Sequence, residues 1–69
     1  MEAGIRLTKR EAEVLRCMAY GSSYKRVAAE LGMSAHTVAS HVKNAYRKLN
    51  VHSAAAAVMR AVQLQQLKV

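Results

Sequence analysis

The sequence contains no proline, tryptophan, phenylalanine or aspartate, only one cysteine and only three glycines. Each shortage excludes something. A single cysteine cannot close an intrachain disulfide, which removes the stapled, secreted mini-proteins. Three scattered glycines form no phosphate-cradling loop, and the glutamates are not spaced as an inward-facing acid–base pair. The aromatics Tyr20, Tyr24 and Tyr46 do not make the sheet-borne stacking platform of single-strand or RNA binders. No apolar run approaches the ~20 residues of a membrane span. Glu2 and Arg6, with no apolar stretch after them, give no expectation of a signal peptide. A chain of 69 residues allows one small domain, taken as 1–69, and excludes two-lobed enzymes with a deep pocket. No catalysis, cofactor, metal or small-molecule ligand is expected, and a reducing, cytoplasmic (nucleoid-associated) setting is.

What is present is apolar and basic. The 52% apolar residues are ample for a core. Eleven Lys and Arg against four acids give a formal charge of +7. All four acids, Glu2, Glu11, Glu13 and Glu30, fall in the first thirty positions, and residues 31–69 hold five cations and no carboxylate. A half-domain without carboxylates suits a polyanion, since nothing in it repels phosphate. A solvated basic face would have the same composition, so charge alone does not decide.

With no proline, the chain reads as helices divided by short turns. Thr8 and Glu11 form a capping box, Gly21 supplies a stop, and the first helix is expected over about 8–20. Ser22 or Ser23 caps a second helix, about 23–31, ended by Gly32. Ser34 caps a third over 35–49, and a fourth is expected over 53–67, beginning at the Ala54–Ala57 run. The expected fold is all-α, with four helices.

The most specific signal spans Tyr24 to Lys43. Only Met33 separates Gly32 from the cap Ser34, so no loop remains to bring the next helix back antiparallel and the two must cross steeply. Ala28, Gly32 and Val38 have the small–glycine–apolar spacing of a helix-turn-helix. On the third helix, Val38, Val42, Ala45 and Leu49 fall within about 60° of one another and form the buried stripe. His36, Ser40, Lys43 and Arg47 cluster on the opposite side. That row can donate to guanine O6 and N7 through Lys43 or Arg47, and to either base type through Ser40. An isolated helix with this row would read as an ordinary solvated face. Behind a tight glycine turn in an acid-free half, the row points to double-stranded DNA.

Leu7-Thr8, Arg10-Glu11, Glu13-Val14-Leu15, Gly21, Val27-Ala28, Leu31-Gly32-Met33-Ser34, Thr37-Val38, His41 and Lys48-Leu49 together resemble the LuxR-type (NarL/FixJ-type) helix-turn-helix DNA-binding domain. The resemblance covers about residues 6–64. It implies a four-helix domain whose third helix enters the major groove of a promoter and whose fourth helix mediates dimer contacts. By position it assigns base reading to Ala39, Ser40 and Lys43, and backbone contacts to Lys25, Thr37 and Arg47. The chain departs from the family pattern in having Ala39 for the usual Lys, Arg26 for the usual Glu, and Ala54 for the usual Arg.

Other residues have two readings. His36 could touch phosphate or base or stand idle, and Asn44 is expected to help Ser40 and Lys43. Tyr24, at the start of helix 2, is placed to reach a phosphate or to pack at the boundary. His41 is expected to pack; its spacing of five from His36 does not suit a shared metal. Cys17 reads as a core thiol. On helix 4, Val58, Ala61 and Val62 with Ala54 and Ala55 are expected to dock on the core. Ala57, Leu64 and Leu67 are left as a second apolar face, either a homodimer interface or stray leucines on a frayed end. The rival functions are sigma-factor-like promoter recognition with RNA polymerase and a protein-interaction adaptor that sequesters another regulator. A membrane-surface peptide is disfavoured, because the caps and glycine stops specify a folded unit.

Overall fold

The computed structural model describes residues 5–68. Its elements are α1 (Lys9–Ala19), α2 (Tyr24–Leu31), α3 (Ala35–Leu49) and α4 (Ala54–Gln63). Each begins on a hydroxyl cap. Thr8, Ser23, Ser34 and Ser53 accept from the amides of Glu11, Arg26, Thr37 and Ala56, satisfying donors that the first helical turn leaves open. Of the two serines offered at α2, Ser23 is the cap.

The helices also end alike. After each, one residue takes a positive φ: Gly21 (92°), Gly32 (68°), Asn50 (57°) and Gln65 (59°). The next amide then donates to the carbonyl five residues back: Ser22 to Cys17, Met33 to Ala28, Val51 to Tyr46 and Gln66 to Ala61, at 2.8–3.2 Å. This is the Schellman closure, which occupies carbonyls the last turn would leave free. Glycine and asparagine announce such a stop in sequence; glutamine does not. The fourth helix therefore ends at Gln63 instead of running to 67.

Two apolar clusters form the core. Val14, Val27, Ala28, Val38 and Val42 lock α2 and α3 onto α1. Leu7, Leu15, Ala45, Leu49, Ala57, Ala61 and Leu67 join α1, α3, α4 and both terminal segments. Tyr46 packs against both clusters. The turn at Gln65 brings the tail back over the N-terminal segment. The Leu7 amide donates to Gln66 Oε1 (3.1 Å), and Arg16 Nε donates to the Lys68 carbonyl (3.1 Å).

This closure corrects the expected faces of α4. Ala57 is fully buried, Leu67 is 4% exposed and Leu64 packs on the same cluster, so the three expected at a dimer interface belong to the core. Ala61 docks as expected, but Val62 and Ala55 face outward. The helix turns Ala57 and Ala61 inward because these two, four apart, permit close approach to Leu15, Ala45 and Leu49. An alanine-rich helix carries little size contrast from which a sequence reading could choose that face.

Candidate nucleic-acid interface

The Gly32-Met33-Ser34 turn sets how α3 projects. Gly32 holds a left-handed backbone, Met33 packs against Val38 and Val42's cluster, and the Ser34 hydroxyl restarts the helix two residues after Gly32. No atom crowds the place of a Gly32 Cβ, so glycine is required there by its φ and not by space. Val38, Val42, Ala45 and Leu49 are all but fully buried, which leaves the opposite side of α3 in solvent.

On that side His36, Ser40, Lys43 and Arg47 are exposed, and Ala39 and Asn44 are half-buried on its two flanks. His36, Ala39, Ser40, Lys43 and Asn44 line one shallow hollow of about 240 Å³. A larger one, about 590 Å³, lies between α2, α3 and the α3–α4 turn and brings together Tyr24, Ala39, Lys43, Tyr46, Arg47 and His52. Lys25 is exposed in the first turn of α2, and Thr37 is half-buried in the first turn of α3. Of the residues expected at phosphates, Tyr24 and Arg47 thus share the larger hollow, and Lys25 and Thr37 do not line it.

Three local hydrogen bonds define what this face offers. The Ser40 hydroxyl donates to the His36 carbonyl (3.2 Å), so it shows its lone pairs to solvent instead of the proton expected of it. Arg47 donates to Asn44 Oδ1 (3.1 Å), leaving the Asn44 amide NH₂ as the outward group. Thr37 Oγ1 shares a proton with Ser34 Oγ (2.9 Å) within the cap.

The electrostatics sharpen the contrast. Among the described residues Glu11 pairs with Lys48 (2.8 Å), Glu13 with Arg10 (3.1 Å) and Glu30 with Arg26 (3.4 Å). Among the described residues no carboxylate pairs with Lys43 or Arg47. Glu11 is 3% exposed, and its ion pair has no signal in the sequence: the capping box announces only its local role, but Lys48 reaches it from the end of α3. Burial alone would raise the Glu11 pKa. Hydrogen bonds from Lys48 and the Thr8 amide, with the Lys48 charge, outweigh burial and hold it below the ordinary glutamate value. Lys48 also donates to the Arg6 carbonyl (3.3 Å), so this side chain of α3 is spent on the fold. The Tyr46 phenol is pushed up by burial and then by Tyr24, and stays a neutral donor. Burial and then Glu30 raise the Cys17 thiol, which favours its protonated form.

A model of bacterial regulatory proteins of the luxR family matches residues 6–61. The chain belongs to that family. The luxR-family domain is 53% identical over 53 residues to a nitrate/nitrite response regulator protein homolog of Haemophilus influenzae, covering 77% of this chain and 26% of that protein. It is 37% identical over 62 residues to the spore germination protein GerE of Bacillus subtilis, covering 90% of this chain and 84% of that protein. A solved structure of the transcription factor GerE superposes with a TM-score of 0.84 at 31% identity, covering 90% of this chain and 92% of that one. The chain spans about a quarter of the first of these relatives and most of GerE. The luxR-family fold is therefore shared along nearly the whole length described here. No helix among the described residues is long and apolar enough to cross a membrane.

Proposed function

We propose that this luxR-family domain is a sequence-specific double-stranded DNA-binding module of a transcriptional regulator, with α3 in the major groove. The observation that carries the reading is the outward face of α3: Lys43 and Arg47, exposed and without carboxylate partners among the described residues, opposite a fully buried stripe. Ser40, Lys43, His36, Asn44 and Ala39 then face base edges, with Lys43 donating to acceptors such as guanine O6 and N7. Lys25, Tyr24, Thr37, Arg47 and the N-termini of α2 and α3 hold phosphates and set the register.

The module pairs with a second copy through α4. Ala57, Leu64 and Leu67 are spent on the core, so the pairing surface is Ala55, Met59 and Val62, which fall on one outward stripe. Met59 is 63% and Val62 40% exposed. Twofold pairing predicts an inverted repeat with half-site centres about 10 bp apart.

Selection from a random duplex pool at about 150 mM salt tests the reading, because non-specific phosphate binding is weak there. Enrichment of an inverted repeat is the expected result. Clean binding at low salt with no enriched sequence would sink it in favour of an adaptor or a polymerase-bound role.

A further inference from the structure

We infer that Ala39 is a specificity-determining residue whose methyl group reads the 5-methyl group of a thymine. The inference rests on the DNA-binding reading above and deepens it. Ala39 borders both hollows that flank the outward side of α3, and it supplies the one aliphatic side chain in the smaller of them. The remaining lining there is polar, and local hydrogen bonds set the sense of Ser40 and Asn44. Ser40 gives its proton to the His36 carbonyl and presents an acceptor. Asn44 accepts from Arg47 through its oxygen and keeps its NH₂ free to donate, and Lys43 presents donors only.

Thymine matches that arrangement. It is the only DNA base with an apolar group on its major-groove edge, and that methyl stands beside the O4 acceptor. A thymine methyl seated on Ala39 leaves O4 for the Lys43 ammonium, one helical turn along the same side. Its adenine partner turns an amino donor toward the groove, which suits the Ser40 lone pairs. Cytosine in the same place has no methyl, and it turns its amino donor toward the Lys43 ammonium. A longer side chain at position 39 would fill the hollow and replace the apolar contact with its own chemistry.

The test uses the whole chain and the duplex enriched by selection. Each thymine of that duplex is replaced in turn by deoxyuridine, which removes only the methyl, and affinity is read by fluorescence anisotropy. Loss of one buried methyl predicts about a fourfold weakening at one thymine in each half-site. In Ala39→Gly that dependence disappears, and in Ala39→Lys the thymine preference itself is lost. Each variant is compared with itself on the two duplexes, so a loss of helix stability shifts both affinities and leaves their ratio intact. Methyl dependence that persists unchanged in both variants overturns the assignment, as does a selected site with no methyl-dependent thymine. Failure to enrich any duplex overturns the DNA-binding reading as a whole, and is thereby distinguishable from failure of the thymine assignment alone.

Discussion

At the residue scale the most consequential contact is between Glu11 and Lys48. The carboxylate closes the α1 capping box and receives the Lys48 ammonium, so a single side chain ties α1 to the end of α3. Because its folded pKa lies below its unfolded value, the unfolded chain takes up the proton first as pH falls. The contribution is complete above the ordinary glutamate pKa and is lost progressively on acidification through the depressed folded value. Glu11→Gln is expected to cost about 1–2 kcal/mol at neutral pH and to flatten this part of the acid-denaturation curve, as thermal melts at several pH values will show. An equally steep acid transition in the variant would assign it to other groups. The left-handed positions give a second prediction. Gly32→Ala should destabilise by about 1–2 kcal/mol from backbone strain alone, since its Cβ meets open space. Gln65→Gly should stabilise by up to about 1 kcal/mol for the converse reason. Denaturant midpoints for the two variants should therefore move in opposite directions.

At the element scale α3 divides its side chains between two tasks. Val38, Val42, Ala45, Leu49 and Lys48 serve the fold; His36, Ser40, Lys43 and Arg47 are left exposed. Under the proposed reading, Lys43→Ala should cost roughly 1–3 kcal/mol on the selected site and relax preference at one base position. Lys25→Ala should weaken all duplexes alike and lower the salt slope by about one, because it neutralises a phosphate and reads no base. Titrations over a salt series distinguish the two, and an unchanged sequence preference in Lys43→Ala would displace α3 from the groove. Much of this element was legible in the sequence, because the valines recur at helical spacing and contrast in polarity with the row opposite. The sense of the Ser40 and Asn44 hydrogen bonds was not. It depends on rotamers chosen against His36 and Arg47, and residue identity does not specify those.

At the scale of the whole molecule, the tail belongs to the fold. Leu67 lies in the cluster of Leu7, Leu15 and Leu49, held by the turn at Gln65. Leu67→Ala should therefore cost about 2–4 kcal/mol and lower the melting temperature at every protein concentration. Under the proposed pairing, Met59→Glu, which lies outside the core, should leave the monomer fold intact and abolish self-association, as sedimentation with and without the selected duplex would reveal. If Leu67→Ala were neutral to folding and Met59→Glu harmless to pairing, α4 would be facing the other way. A domain of this size has little stability to spare, which is why both termini are drafted into one cluster.

Helix number, the hydroxyl caps, the glycine turn and the two sides of α3 were determined by the sequence itself. Each depends on residues within a few positions of one another: a serine before an amide, a glycine at a positive φ, valines at helical spacing. The Glu11–Lys48 pair spans 37 residues, and the Leu7–Gln66 bond spans 59. The burial of Ala57 and Leu67 likewise depends on what stands opposite them. Tertiary structure decided these. In an alanine-rich helix nearly every face is apolar enough to bury, and only packing against Leu15, Ala45 and Leu49 selects one.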